Sequence, residues 1–125
     1  MEHYDYRNPF KRKVSILGVN YTCILEKTQR NPRFDELGVD GYVDYSVKEI
    51  HVAIYPPESQ DFVDVTSYRR SVMRHEIVHA FLFESGLYVS SGRVNAWAQN
   101  EEMVDWIALQ FPKLAKVYGE LDILN

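Results

Sequence analysis

The chain has 125 residues, 46% hydrophobic and 26% charged, which is the mix of a globular domain and excludes a disordered or fibrous one. Eighteen acids against fourteen bases leave a net charge of −4, so there is no general attraction to phosphate and nucleic acid is not an expected partner. The apolar runs fall far short of the ~20 residues that span a bilayer. The opening MEHYDYRNPFKRK lacks the apolar core of a signal peptide, and Cys23, the one cysteine, has no partner for an internal disulfide. A cytoplasmic protein that does not engage a membrane is expected.

With no internal repeat and no Gly-, Ser- or Pro-rich linker, residues 1–125 read as a single domain. Residues 1–12 are polar and read as a frayed or loosely docked end. KVSILGVNYTCILEK (13–27) carries β-branched and aromatic residues around Gly18 and Asn20, the pattern of two short strands joined by a tight turn. TQRNPRFDELGVDG (28–41) reads as a connection with one helical turn. YVDYSVKEIHVAIY (42–55) reads as a second hairpin turning near Ser46–Lys48, with Ile50, Val52 and Ile54 on one face. PPESQD (56–61) stops the sheet, because proline cannot donate to a ladder.

From Val65 to Leu87 the period becomes helical, with Asp64 or Thr66 as cap and Gly86 as a left-handed stop. Tyr68, Val72, His75, His79, Leu82 and Phe83 fall on one stripe, expected to face the core. After a loop at 88–92, Val94 to Gln110 reads as a second helix, and Pro112 suits the first turn of a third over 112–121. The expected fold is α+β: a small mixed or antiparallel sheet with helices packed on one face.

The chemistry concentrates in His75-Glu76-Ile77-Val78-His79, an HExxH motif inside the first long helix. Four residues advance a helix by about 400°, so the two imidazoles lie roughly 40° apart and ~6 Å along the axis. Both can reach one tetrahedral metal ion, while Glu76 stays free to contact water on that ion. A catalytic zinc takes three protein ligands, so one more is needed. A metzincin would place glycine at position 82 and histidine at position 85; Leu82 and Ser85 exclude that class. His51 lies on a candidate strand and reads as a sheet residue. Glu101 is the better ligand. It sits among Val94, Trp97, Val104, Ala108 and Phe111 on one apolar stripe, where a carboxylate is costly unless a cation pairs it. Glu102 is rotated toward solvent. Asp105, one turn on, is placed to accept the second ring N–H of a liganding histidine.

HExxH followed on a later helix by NExxxD resembles the gluzincin pattern of thermolysin-like zinc peptidases, matched here by His75, Glu76, His79, Asn100, Glu101 and Asp105. The small size is more similar to the ImmA/IrrE-type metallopeptidases, often encoded by phages and mobile elements. Those also show a Gly-led hairpin before the helix, here Gly41 through Val52, and an E-x-x-A-N/D-x-x-A run. That run is met by Glu101, Val104, Asp105 and Ala108, with valine replacing the first alanine. The resemblance spans roughly residues 41–111. It implies a zincin-like fold, an active-site helix followed by a ligand-bearing helix, Zn2+ on His75, His79 and Glu101, and Asp105 behind them. It further implies a peptide or protein substrate, with Glu76 moving protons between water and leaving amine.

An edge strand within 42–54, the segment 42–46 first, would hold the substrate extended. Tyr88 is the first candidate for oxyanion stabiliser, with His51 and Tyr118 as others. The competing function is a non-catalytic metal-binding interaction or regulatory module of phage or mobile-element origin with the same fold. A third, an amide hydrolase of the deformylase kind, needs a cysteine ligand in a distinct motif, and Cys23 lies about fifty residues upstream.

Overall fold

The computed structural model describes residues 4–59, 63–90 and 101–125, except the side chains of Ser90, Glu101, Val104, Asp105 and Ala108. Strands β1 (Phe10–Ile16) and β2 (Val19–Lys27) form an antiparallel hairpin. Its turn holds Leu17 and Gly18 at positive φ, a conformation that glycine adopts without strain. Helix α1 (Arg33–Leu37) follows, then strands β3 (Gly41–Asp44) and β4 (Glu49–Ile54). The four strands form one mixed sheet in the order β1-β2-β4-β3. β2 and β4 pair in parallel at the centre, and β3 pairs antiparallel with β4. Among the described residues β3 is therefore an edge strand, with one row of backbone groups outside the sheet's pairing.

Alternation along the strands separates two faces. Val14, Ile16, Tyr21, Cys23, Leu25, Ile50 and Val52 point into the main core. There they meet helix α2 (Val65–Glu84) through Met73, Ile77, Ala80 and Phe81, and helix α4 (Glu101–Glu120) through Leu114 and Val117. The short α3 (Leu87–Ser90) lies between them in sequence. On the opposite face buried Phe34 of α1 packs against Tyr42, and Tyr42 stacks on His51 at 4.6 Å. The two long helices thus share one sheet face, while α1 covers part of the other.

Three expectations need correcting. From Tyr4 onward the amino-terminal segment is not frayed: Tyr6 is fully buried, its hydroxyl donates to the Leu121 carbonyl at 2.8 Å, and β1 begins at Phe10; residues 1–3 lie outside the described residues. Buried aromatic area outweighs the polar composition that suggested fraying. Pro112 opens no new helix but lies inside α4, where its ring is exposed. The segment expected as a loop from residue 88 is helical through Ser90; the proposed helix start at 94–100 lies outside the described residues.

Candidate active site

The start of α2 is fixed by Asp64, whose carboxylate accepts from the Ser67 backbone N–H at 3.1 Å. Its far end is fixed by Glu84, which accepts from Lys48 Nζ at 2.8 Å and from the Tyr21 hydroxyl at 2.6 Å. Burial pushes the Glu84 carboxyl up, but these hydrogen bonds outweigh it and hold its pKa below the ordinary value. The helix is thereby pinned in rotation, which sets where His75, Glu76 and His79 point.

The rotation differs from the expected one. The core stripe is Arg69, Met73, Glu76, Ile77 and Ala80, and the stripe carrying Tyr68, Val72, His75 and His79 faces a cleft. The two stripes are one residue out of phase, and sequence hydrophobicity alone favoured the aromatic one. Glu76 consequently lies at the boundary between core and cleft.

That cleft, about 650 Å³, runs between α2 and the edge strand β3. Its walls include His75, Glu76, His79, Gly41, Tyr45 and Tyr88. His75 is exposed and His79 half-buried, and their Nε2 atoms lie 3.0 Å apart. Two nitrogens each ~2.0–2.1 Å from one tetrahedral ion would be about 3.3 Å apart, so the pair fits a shared divalent ion with little adjustment. Burial, and then the neighbouring His75, holds the His79 pKa below its ordinary value, favouring the neutral imidazole that a ligand requires.

Glu76 is 8% exposed. Burial pushes its carboxyl up to about 7. Among the described residues no hydrogen bond or ion pair reaches it. The neighbour that lets β3 approach is Gly41. A Cβ there would stand 2.6 Å from Val72 Cγ1 and 3.1 Å from Glu76 Cγ, so only glycine brings the strand this close.

Of the three oxyanion candidates, Tyr88 lines the cleft, its ring 5.8 Å from both Tyr45 and Phe83. His51 does not: it is buried on the opposite sheet face, with Nδ1 2.8 Å from Glu26 Oε2 and Nε2 2.9 Å from Glu49 Oε1. Tyr118 donates instead to the Arg74 carbonyl at 3.1 Å. Glu101 opens helix α4, but its side chain, that of Asp105 and all of Asn100 lie outside the described residues. Among the described residues no group of three His, Cys, Asp or Glu side chains converges as a metal site. The Trp106 indole donates to Ser85 Oγ at 3.0 Å, which brings the start of α4 to the end of α2, six residues past His79. Glu102 is exposed, as expected, but so is Phe111, expected on the apolar stripe; α4 meets the core through Leu114 and Val117 instead.

Sequence reasoning passed over Asp40 and the Tyr45–Phe83 stack, whose rings are 4.2 Å apart. Both flank β3, and the signal for them was Gly41 itself, a glycine opening a strand. No family model, curated protein or solved structure matches the chain.

Proposed function

We propose that the chain is a zinc-dependent peptidase of the gluzincin kind, zincin-like in fold, similar to the small ImmA/IrrE-type enzymes. The observation that carries the reading is the convergence of the His75 and His79 Nε2 atoms at 3.0 Å beside buried Glu76, in a cleft lined by the last strand of the sheet, β3. His75 and His79 would hold the ion, with Glu101 as third ligand and Asp105 orienting a histidine. The bound ion supplies Lewis acidity, lowering the pKa of a water and polarising a carbonyl.

The remaining chemistry belongs to the chain. β3 aligns an extended peptide by backbone pairing across the cleft. Glu76 takes a proton from the attacking water and passes it to the leaving amine, a role suited to a carboxyl whose pKa is near neutrality. Tyr88 is positioned on the cleft wall to donate to the developing oxyanion.

A non-catalytic metal-binding module is the weaker reading. A carboxylate buried without a partner destabilises a fold, and a binding module gains nothing from keeping it. Buried Cys23, its thiol pushed up to about 12 by burial, is unreactive and suits a reducing cytoplasm. Among the described residues no helix is long and apolar enough to cross a membrane.

The test is metal analysis of the full chain after zinc loading and desalting, followed by incubation with a mixed peptide library read by mass spectrometry. One zinc per chain and discrete cleavage products are expected. A chain that retains no zinc would overturn the proposal. Loaded protein that cleaves nothing would favour the binding module.

A further inference from the structure

The cleft has two chemically different ends. Three contacts show that α2 and β3 run side by side along it. The Tyr68 hydroxyl donates to Asp40 Oδ2 at one end. Gly41 meets Val72 and Glu76 next to it. Phe83 stacks on Tyr45 at the other end. The histidine pair lies between. From Asp40 to Tyr45 the chain advances about 15 Å at ~3.3 Å per extended residue, the reach of four to five residues of an extended peptide.

At the first end Asp40 is half-buried and lines the cleft. Among the described residues no Lys, Arg or His pairs with it; its side chain is met by the hydroxyls of Tyr68 and Tyr55, both neutral. Among the described cleft-lining residues there are two carboxylates, Asp40 and Glu76, and no Lys or Arg. Among the described residues at that end no Lys or Arg would repel a cation carried by a ligand, and an ion held by His75 and His79 would lie farther along the cleft. At the other end Tyr45, Phe83 and Tyr88 form an aromatic corner, with Tyr88 53% exposed toward the cleft. Lys48, whose Nζ lies 4.9 Å from the Phe83 ring centroid, is held by Glu84 at 2.8 Å. That corner can bury a flat or bulky apolar side chain.

Resting on the peptidase reading of the same site, we infer that the cleft takes an extended peptide carrying a basic side chain at the Asp40 end and an aromatic or large apolar side chain four to five residues away, at the Tyr45–Phe83–Tyr88 corner. The scissile bond lies between them, opposite His75 and His79.

The test uses the Glu76→Gln chain, whose hydrolysis should be slower than wild type by at least ~10²-fold. Binding of synthetic peptides with Lys and Phe four or five residues apart, in both orders, is measured by calorimetry. Replacing Lys by Gln should weaken the better order at least about tenfold, the range of a hydrogen bond to a charged group. Replacing Phe by Ala should cost about tenfold as well. Asp40→Asn still accepts from Tyr68 and should bring the Lys-over-Gln ratio to about one. Equal binding of the Lys and Gln peptides, or a ratio that persists in Asp40→Asn, would overturn the Asp40 assignment. Equal binding of the Phe and Ala peptides would overturn the aromatic corner. The peptidase reading fails separately. If the preference is present but zinc-loaded wild type cleaves none of these peptides, the ligand class stands and the reaction does not. If wild type cleaves a library with neither preference, the reaction stands and this inference falls.

Discussion

Glu76 and Glu84 lie two turns apart on the same helix, and they are provided for in opposite ways. Glu84 faces the sheet and is met by Lys48 and Tyr21, so its charge is compensated and the carboxylate fastens the helix. Glu76 is more deeply buried and meets no donor among the described residues, so its charged form is disfavoured. The histidines divide in the same way. Both ring nitrogens of His51 are engaged by carboxylates beneath a stacked tyrosine, whereas among the described residues the Nε2 atoms of His75 and His79 meet each other, 3.0 Å apart, on the wall of an open cleft. Satisfied polar groups hold this fold together. Among the described residues Glu76, which meets no donor, lies beside the two histidines, and there it makes sense as chemistry.

The sharpest way to break the contrast is to exchange the histidines. His75→Ala or His79→Ala should abolish stable zinc binding, since two protein ligands rarely suffice. His51→Ala should leave zinc stoichiometry unchanged while lowering thermal stability, because Glu26 and Glu49 lose their partner. Zinc analysis and melting curves on the three variants decide it; loss of zinc in His51→Ala alone would reverse the assignment. A smaller effect is expected behind the ligands. Asp105→Ala should weaken zinc affinity by roughly 10- to 100-fold, read by competition with a chelator, without removing binding.

The smallest effects are on stability, and they separate the two glutamates by sign. Glu76 has a folded pKa of about 7 against an ordinary 4.5. Its stabilising contribution is therefore present below pH 4.5 and lost as the pH rises through 7. In metal-free protein Glu76→Gln should be more stable than wild type at pH 8, by up to about 3 kcal/mol, and similar to it at pH 4. Glu84 has a folded pKa below the ordinary value, so its contribution is present above that value and lost as the pH falls. Glu84→Gln should be destabilised at pH 8, by about 1–2 kcal/mol for the weakened bonds to Lys48 and Tyr21. Denaturant titrations at the two pH values check both, and equal signs would refute the contrast.

Much of this was legible in the sequence. The two hairpins, the cap at Asp64, the stop at Gly86 and the placement of His75 and His79 on one side of a helix follow from local rules of turn chemistry and period. The helix phase was not, because Tyr68 and Val72 looked like core while lining a cleft, and the stripe that enters the core includes Arg69 and Glu76. A hydrophobicity pattern cannot distinguish an apolar wall open to a substrate from one closed by a sheet. Nor could it show that the amino terminus docks through Tyr6 on Leu121, a contact between the two ends of the chain. The parallel pairing of β2 with β4 is equally non-local.

The measurement that bears most directly on the central claim is zinc content and peptide hydrolysis determined on the same samples of wild type and Glu76→Gln. The glutamine keeps the shape of the side chain and cannot take a proton. The account predicts one zinc per chain in both proteins, with hydrolysis in the variant lower by at least ~10²-fold. Equal hydrolysis by the two, or loss of zinc from Glu76→Gln, would contradict it.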